Sequence, residues 1–157
     1  MSTAETRRHV LVVANETVAG KSLIEALHRR AAEGPIRVTV VCPINHPQEG
    51  YVVYHDTRRA SAGRRLDKTL ELLRSNGIAA QGFVIDADPV VAVRDSFAQL
   101  VPPPDEIIIS THPEGRSNWL EKGVVSGAQQ RFTVPITHVV VDLEAEQRAE
   151  QPAATRS

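Results

Sequence analysis

Short, nearly unbroken apolar runs alternate along the chain with longer stretches in which apolar residues recur every three or four positions. The runs at residues 10–14 (VLVVA), 37–42 (RVTVVC), 78–85 (IAAQGFVI), 106–110 (EIIIS) and 136–141 (ITHVVV) are rich in Val and Ile, which predicts strands. Three of them lack the polar/apolar alternation of a sheet with one wet face. That pattern predicts strands covered on both sides, as in a parallel sheet. Helices are predicted between them. The first spans about residues 18–32, with Leu23, Leu27 and Ala31 on one face and Gly34-Pro35 as its stop. The second, about 58–75, carries Leu66, Leu70 and Leu73 and stops at Asn76-Gly77. Asp88-Pro89 opens the third as a cap followed by a proline, and Val90, Val93, Phe97 and Leu100 form its apolar face. The fourth, about 118–132, is weakened by Gly123 and Gly127.

Alternating strands and helices joined by right-handed crossovers give an α/β fold: a three-layer α/β/α sandwich on a five-stranded parallel sheet, Rossmann-like. Ligands in such sheets sit beyond the carboxyl ends of the strands, where the strand order reverses. The segments that would carry chemistry are therefore 15–22, 43–57, 86–89 and 110–123. Residues 9–142 form the expected domain, 1–8 an N-terminal tail, and 143–157 (LEAEQRAEQPAATRS) a disordered C-terminal tail with one large apolar residue.

Composition narrows the picture. The 157 residues suit one domain, and 41% apolar content supports a real core. Lys plus Arg total 18 against 19 acidic residues, so no global charge draws the chain to nucleic acid or anionic lipid. No apolar run reaches the roughly 18 residues of a membrane span. A single cysteine, Cys42, excludes an intrachain disulfide, and the polar start MSTAETRRHV does not read as a secretion signal. A soluble, cytoplasmic protein is expected.

Two loops attract attention. The segment Asn15-Glu16-Thr17-Val18-Ala19-Gly20-Lys21-Ser22 lies between a strand and a helix and resembles a phosphate loop whose first glycine is Asn15. With Asp142 after the apolar run 139–141, it suggests a P-loop-type nucleotide hydrolase. Against this, Glu16 would repel phosphate, and Asn15 or Thr17 equally serves as a helix cap. The second loop, after the fourth strand, is Ser110-Thr111-His112-Pro113-Glu114-Gly115-Arg116-Ser117-Asn118-Trp119.

Through VLVVANET at the first strand and DEIIISTHPEGRS at the fourth, over about residues 10–142, the chain resembles the universal stress protein family. The resemblance implies a small stress-response module that binds or signals rather than catalyses. It also implies pairing into a homodimer through the fifth strand, and ATP or another adenine nucleotide as ligand. The family's ATP loop falls on Ser110, Pro113, Gly123 and Val124, of which only Gly123 keeps the family residue. Pro113 has no N–H to give a phosphate, so weak or no ATP binding is the expectation. By resemblance adenine would lie near Asn15 and Val41, with the phosphates near Ser110, His112, Arg116 and Gly123. Thr111 and Ser117 add donors to the same loop.

The remaining features are plainer. The histidines His9, His28, His46, His55, His112 and His138 show no metal-ligand spacing, although His46 and His55 share a stretch with Tyr51, Tyr54 and Asp56. Cys42 reads as a small buried hydrophobe. Arg58, Arg59, Arg64, Arg65, Lys68 and Arg74 form a local basic patch without aromatic interleaving, which reads as a solvated helix face.

Overall fold

The computed structural model describes residues 7–14, 21–44, 52–87, 89–111 and 124–141. Strands β1 (Arg8–Ala14), β2 (Ile36–Pro43), β3 (Ala79–Ile85), β4 (Glu106–Thr111) and β5 (Ile136–Val140) form one sheet in the order β3-β2-β1-β4-β5. Every pairing is parallel. Helices α1 (Lys21–Glu33), α2 (Val52–Ser75), α3 (Pro89–Gln99) and α4 (Val124–Arg131) occupy the connections. The strand order reverses between β1 and β4.

The apolar runs are continuous because both faces of the sheet are covered. Successive side chains of a strand point to opposite faces, so β1 supplies two cores at once. Val10, Val12 and Ala14 share one core with Leu23 and Leu27 of α1 and Leu66, Leu70 and Leu73 of α2. Leu11 and Val13 share the other with Ala92 and Val93 of α3 and Ala128 of α4. These β1 side chains are almost wholly withdrawn from water, and full burial of such a group stabilises by roughly 1.5–3 kcal/mol. Phe97 and Phe132 stack with their rings 4.8 Å apart, tying α3 to the end of α4.

Two glycines are fixed by geometry. Gly77, with φ of 79°, ends α2: its N–H bonds to the Arg74 carbonyl at 3.0 Å and that of Ile78 to Leu73 at 3.0 Å, the double bond of a left-handed helix cap. Gly82 lets β3 lie close to both β2 and α2, since a Cβ there would collide with the Val40 carbonyl oxygen and sit 2.9 Å from Leu66 Cδ1.

The strands differ from their predicted bounds by at most two residues at either end. The larger difference is at α2, which begins at Val52 rather than near residue 58. Once a helix is nucleated each added residue gains a hydrogen bond, and residues 52–57 contain no glycine or proline to stop it. His55 and Asp56 therefore belong to a helix, not to the open loop expected over 43–57; Tyr51 and His46 lie outside the described residues. No helix among the described residues is long and apolar enough to cross a membrane.

Candidate functional site

The carboxyl ends of β1 and β4 meet at the reversal of strand order, where Ala14 is in register with Ser110. Helices α1, α3 and α4 each lie between one strand and the next, so their N-termini are on the carboxyl side of the sheet, and none has an acidic residue in its first turn. The unpaired N–H groups and dipole of a helix N-terminus favour an anion.

Ser110 and Thr111 are the last two residues of β4 and both are fully buried. Strand alternation sends them to opposite faces. Ser110 follows Ile108 toward the α1/α2 layer, and its Oγ has no hydrogen-bond partner among the described residues. An orphaned buried hydroxyl is costly and uncommon. Thr111 follows Ile107 and Ile109 toward α3 and α4, and its Oγ1 lies 2.8 Å from His138 Nε2 on β5. The two hydroxyls, expected to serve one loop together, are divided by the sheet.

Val41, expected beside adenine, is fully buried and shares the core with Ala92 and Val93 of α3. Its side chain is a packing element. The other expected ligand residues, Asn15, His112, Arg116, Ser117 and Gly123, lie outside the described residues, as do Pro113, Trp119 and Asp142. Lys21 and Ser22 open α1 at the same carboxyl edge. Cys42 is buried, and loss of solvation pushes its thiol up to about 11, so it carries little thiolate at neutral pH. Among the described residues no three His, Cys, Asp or Glu side chains cluster as metal ligands.

The amino-terminal end of the sheet holds polar groups that sequence pattern alone did not single out. His9 is fully buried in β1. Its Nδ1 lies 2.8 Å from the Pro102 carbonyl oxygen and its Nε2 2.8 Å from Thr39 Oγ1. A carbonyl only accepts, so Nδ1 carries the proton and Nε2 accepts from the threonine hydroxyl. Arg37 Nη2, 3.5 Å from Nδ1, faces another donor and instead donates to the Val101 carbonyl at 3.1 Å. Burial holds the imidazole below its usual 6.5, against the raising effect of Pro102; Arg37 lowers it further and Asp105 raises it. The Asp105 carboxylate accepts the His9 N–H at 2.9 Å, and the Asp105 N–H returns a bond to the His9 carbonyl at 2.7 Å.

On the opposite face Glu106, 4% exposed, receives Arg30 Nε at 2.7 Å. Arg30 also donates to the Ala26 carbonyl at 3.0 Å and to Thr137 Oγ1 at 3.2 Å, which joins α1 to both β4 and β5. Arg8 bridges at longer range, 3.9 Å to Glu106 and 3.6 Å to Glu33. The only hint in the sequence is a charged or ionisable residue at the start of an apolar run: His9 before VLVV and Glu106 before III.

The chain matches no protein-family model and no curated protein.

Proposed function

We propose that the chain is a universal-stress-protein-like binding or signalling module of the cytoplasm, non-catalytic, which holds an adenine nucleotide weakly at the carboxyl edge between β1 and β4. The observation that carries this reading is the buried Ser110 hydroxyl without a partner among the described residues, at the point where strand order reverses. Helix N-termini free of acidic residues in their first turns support it. His112, Arg116, Ser117 and Gly123 follow in the same connection and supply a cation, further donors and a glycine. The division of Ser110 from Thr111, together with Val41 withdrawn into the core, argues for weak rather than tight binding.

Thermal unfolding with and without excess ATP and magnesium tests this, since a ligand at one hundred times its Kd stabilises by about 2.7 kcal/mol. A small rise, lost in Arg116→Ala and kept in Lys21→Ala, is expected. The second reading, a P-loop-type hydrolase, is favoured by the position of Lys21 and Ser22 in the first turn of α1. A large rise abolished by Lys21→Ala, with phosphate release, would replace the first reading by the second.

The module is further proposed to pair with a second copy through β5. That strand is an outer edge of the sheet, and all five of its residues are half-buried, Ile136, Val139 and Val140 among them. The other edge is blunted: Arg74 Nε donates to the Ala80 carbonyl of β3 at 3.0 Å. Light scattering should return a dimer mass; a monomer at high micromolar concentration would remove this part of the proposal.

A further inference from the structure

A cavity of about 220 Å³ opens at the amino-terminal end of β2 and β3, lined by Arg7, Arg37, Thr39, Ala79 and Gln81 among others. Register explains the grouping. Arg37 pairs with His9 on one side and Ala79 on the other, and Thr39 pairs with Gln81, so these residues share one face of the sheet. That face is packed by α3 only farther along, at Val41 and Phe83. Two guanidinium groups thus line a recess whose remaining polar groups are a hydroxyl and an amide.

Neither cation has a carboxylate partner among the described residues. No described carboxylate is within ion-pair distance of Arg7 or Arg37. The nearest acidic group in this network, Asp105, accepts from the His9 backbone. Arg37 has five N–H donors; one goes to the Val101 carbonyl, which fixes the side chain, and its buried Nε has no acceptor. The His9 ring presents only its Nδ1–H donor toward it. A positively charged, half-buried fork with donors left over suits an oxyanion, which it can bind through two parallel bonds.

We propose that this cavity is an anion site, separate from the carboxyl edge, that takes a small molecule bearing a phosphate group. Size sets the class. Pockets for drug-sized ligands run about 300–1,000 Å³, so a recess of 220 Å³ suits a phosphate with a few-carbon substituent better than a whole nucleotide. Arg37 grips the oxyanion, Arg7 adds charge at the mouth, and the Gln81 amide donates from the exposed strand β3.

The test is a titration of the full chain with inorganic phosphate, pyrophosphate and citrate in separate arms at matched ionic strength, read by amide chemical shifts. Saturable shifts at Arg37, Thr39 and residues 79–81 are expected with both phosphates. Gln81→Glu places a carboxylate in the recess at an exposed position that leaves the core untouched, and should weaken phosphate binding at least tenfold. Arg7→Ala should weaken it several-fold. Shifts that grow linearly without saturating, or that appear only near Lys21 and Ser22, overturn the proposal, as does unchanged affinity in Gln81→Glu. Citrate binding more tightly than either phosphate overturns the assignment of the ligand class. Because the two ends of the strands are read separately, failure here leaves the carboxyl-edge reading standing, and the reverse.

Discussion

The two ends of the same five strands are built on different principles. At the amino-terminal end buried side chains reach across the fold to lock elements together: His9 to Thr39 and Pro102, and Glu106 through Oε2 to Arg30, which reaches on to Thr137, although Glu106 Oε1 and Arg37 Nε have no hydrogen-bond partner among the described residues. At the carboxyl end the buried Ser110 hydroxyl is orphaned among the described residues, and α1, α3 and α4 have no acidic residue in their first turns. Satisfied polar networks rigidify a fold, while unsatisfied groups at a strand end are what a ligand can complete. The amino end ties helices and strands together through long-range polar pairs; the carboxyl end carries a buried hydroxyl that ties nothing among the described residues.

The contrast breaks most visibly at Glu106. Replacing it by alanine strands the half-buried Arg30 guanidinium and should lower unfolding free energy by about 3 kcal/mol, read as a fall in urea midpoint; a loss below about 1 kcal/mol would mean the pair does not hold that end. Gly82→Ala, midway along β3, should cost about 2 kcal/mol because the added methyl meets the Val40 carbonyl and Leu66. It measures the sheet–helix packing common to both ends and so calibrates the comparison.

His9 gives the amino end a pH signature. Its folded pKa lies below 6.5, so the unfolded chain binds more protons between the two values and stability falls as pH drops below about 6.5, while staying level above it. Urea midpoints from pH 8 to 5 should show this slope, and His9→Gln should flatten it while lowering stability throughout. An equal slope in His9→Gln would assign it to other groups. The smallest effect is expected at Ser110→Ala: removing a hydroxyl that has no partner should change stability by no more than about 0.5 kcal/mol, in contrast to Glu106. A loss above 2 kcal/mol would show Ser110 to be as structural as the amino-end groups.

How much of this was legible in the sequence follows from what kind of physics each feature obeys. The strands were legible because double-faced burial demands unbroken Val and Ile runs, as in β1 and β4. The stop of α2 was legible because only a residue tolerant of positive φ, here Gly77, ends a helix in that way. The start of α2 was not, because residues 52–57 carry no local signal and the helix simply propagates. Ser110 was singled out through the resemblance of its loop to a family ATP loop and through its place at the end of an apolar strand. Its separation from Thr111 follows from alternation, yet which of the two faces the reversal point depends on where α1 and α2 pack.

What the sequence by itself determined is the periodicity: which segments are strands, which are helices, and that the sheet is buried on both faces. That information is local, carried by neighbours within a few positions. Only the tertiary structure decided the order β3-β2-β1-β4-β5, the register that sets Ala14 beside Ser110 and Arg37 beside His9, and the pairing of Arg30 with Glu106 across 76 positions. Those pairings depend on which face a helix covers and on how a buried charge or imidazole finds a partner in a medium without water, and neither is written in any single stretch of chain.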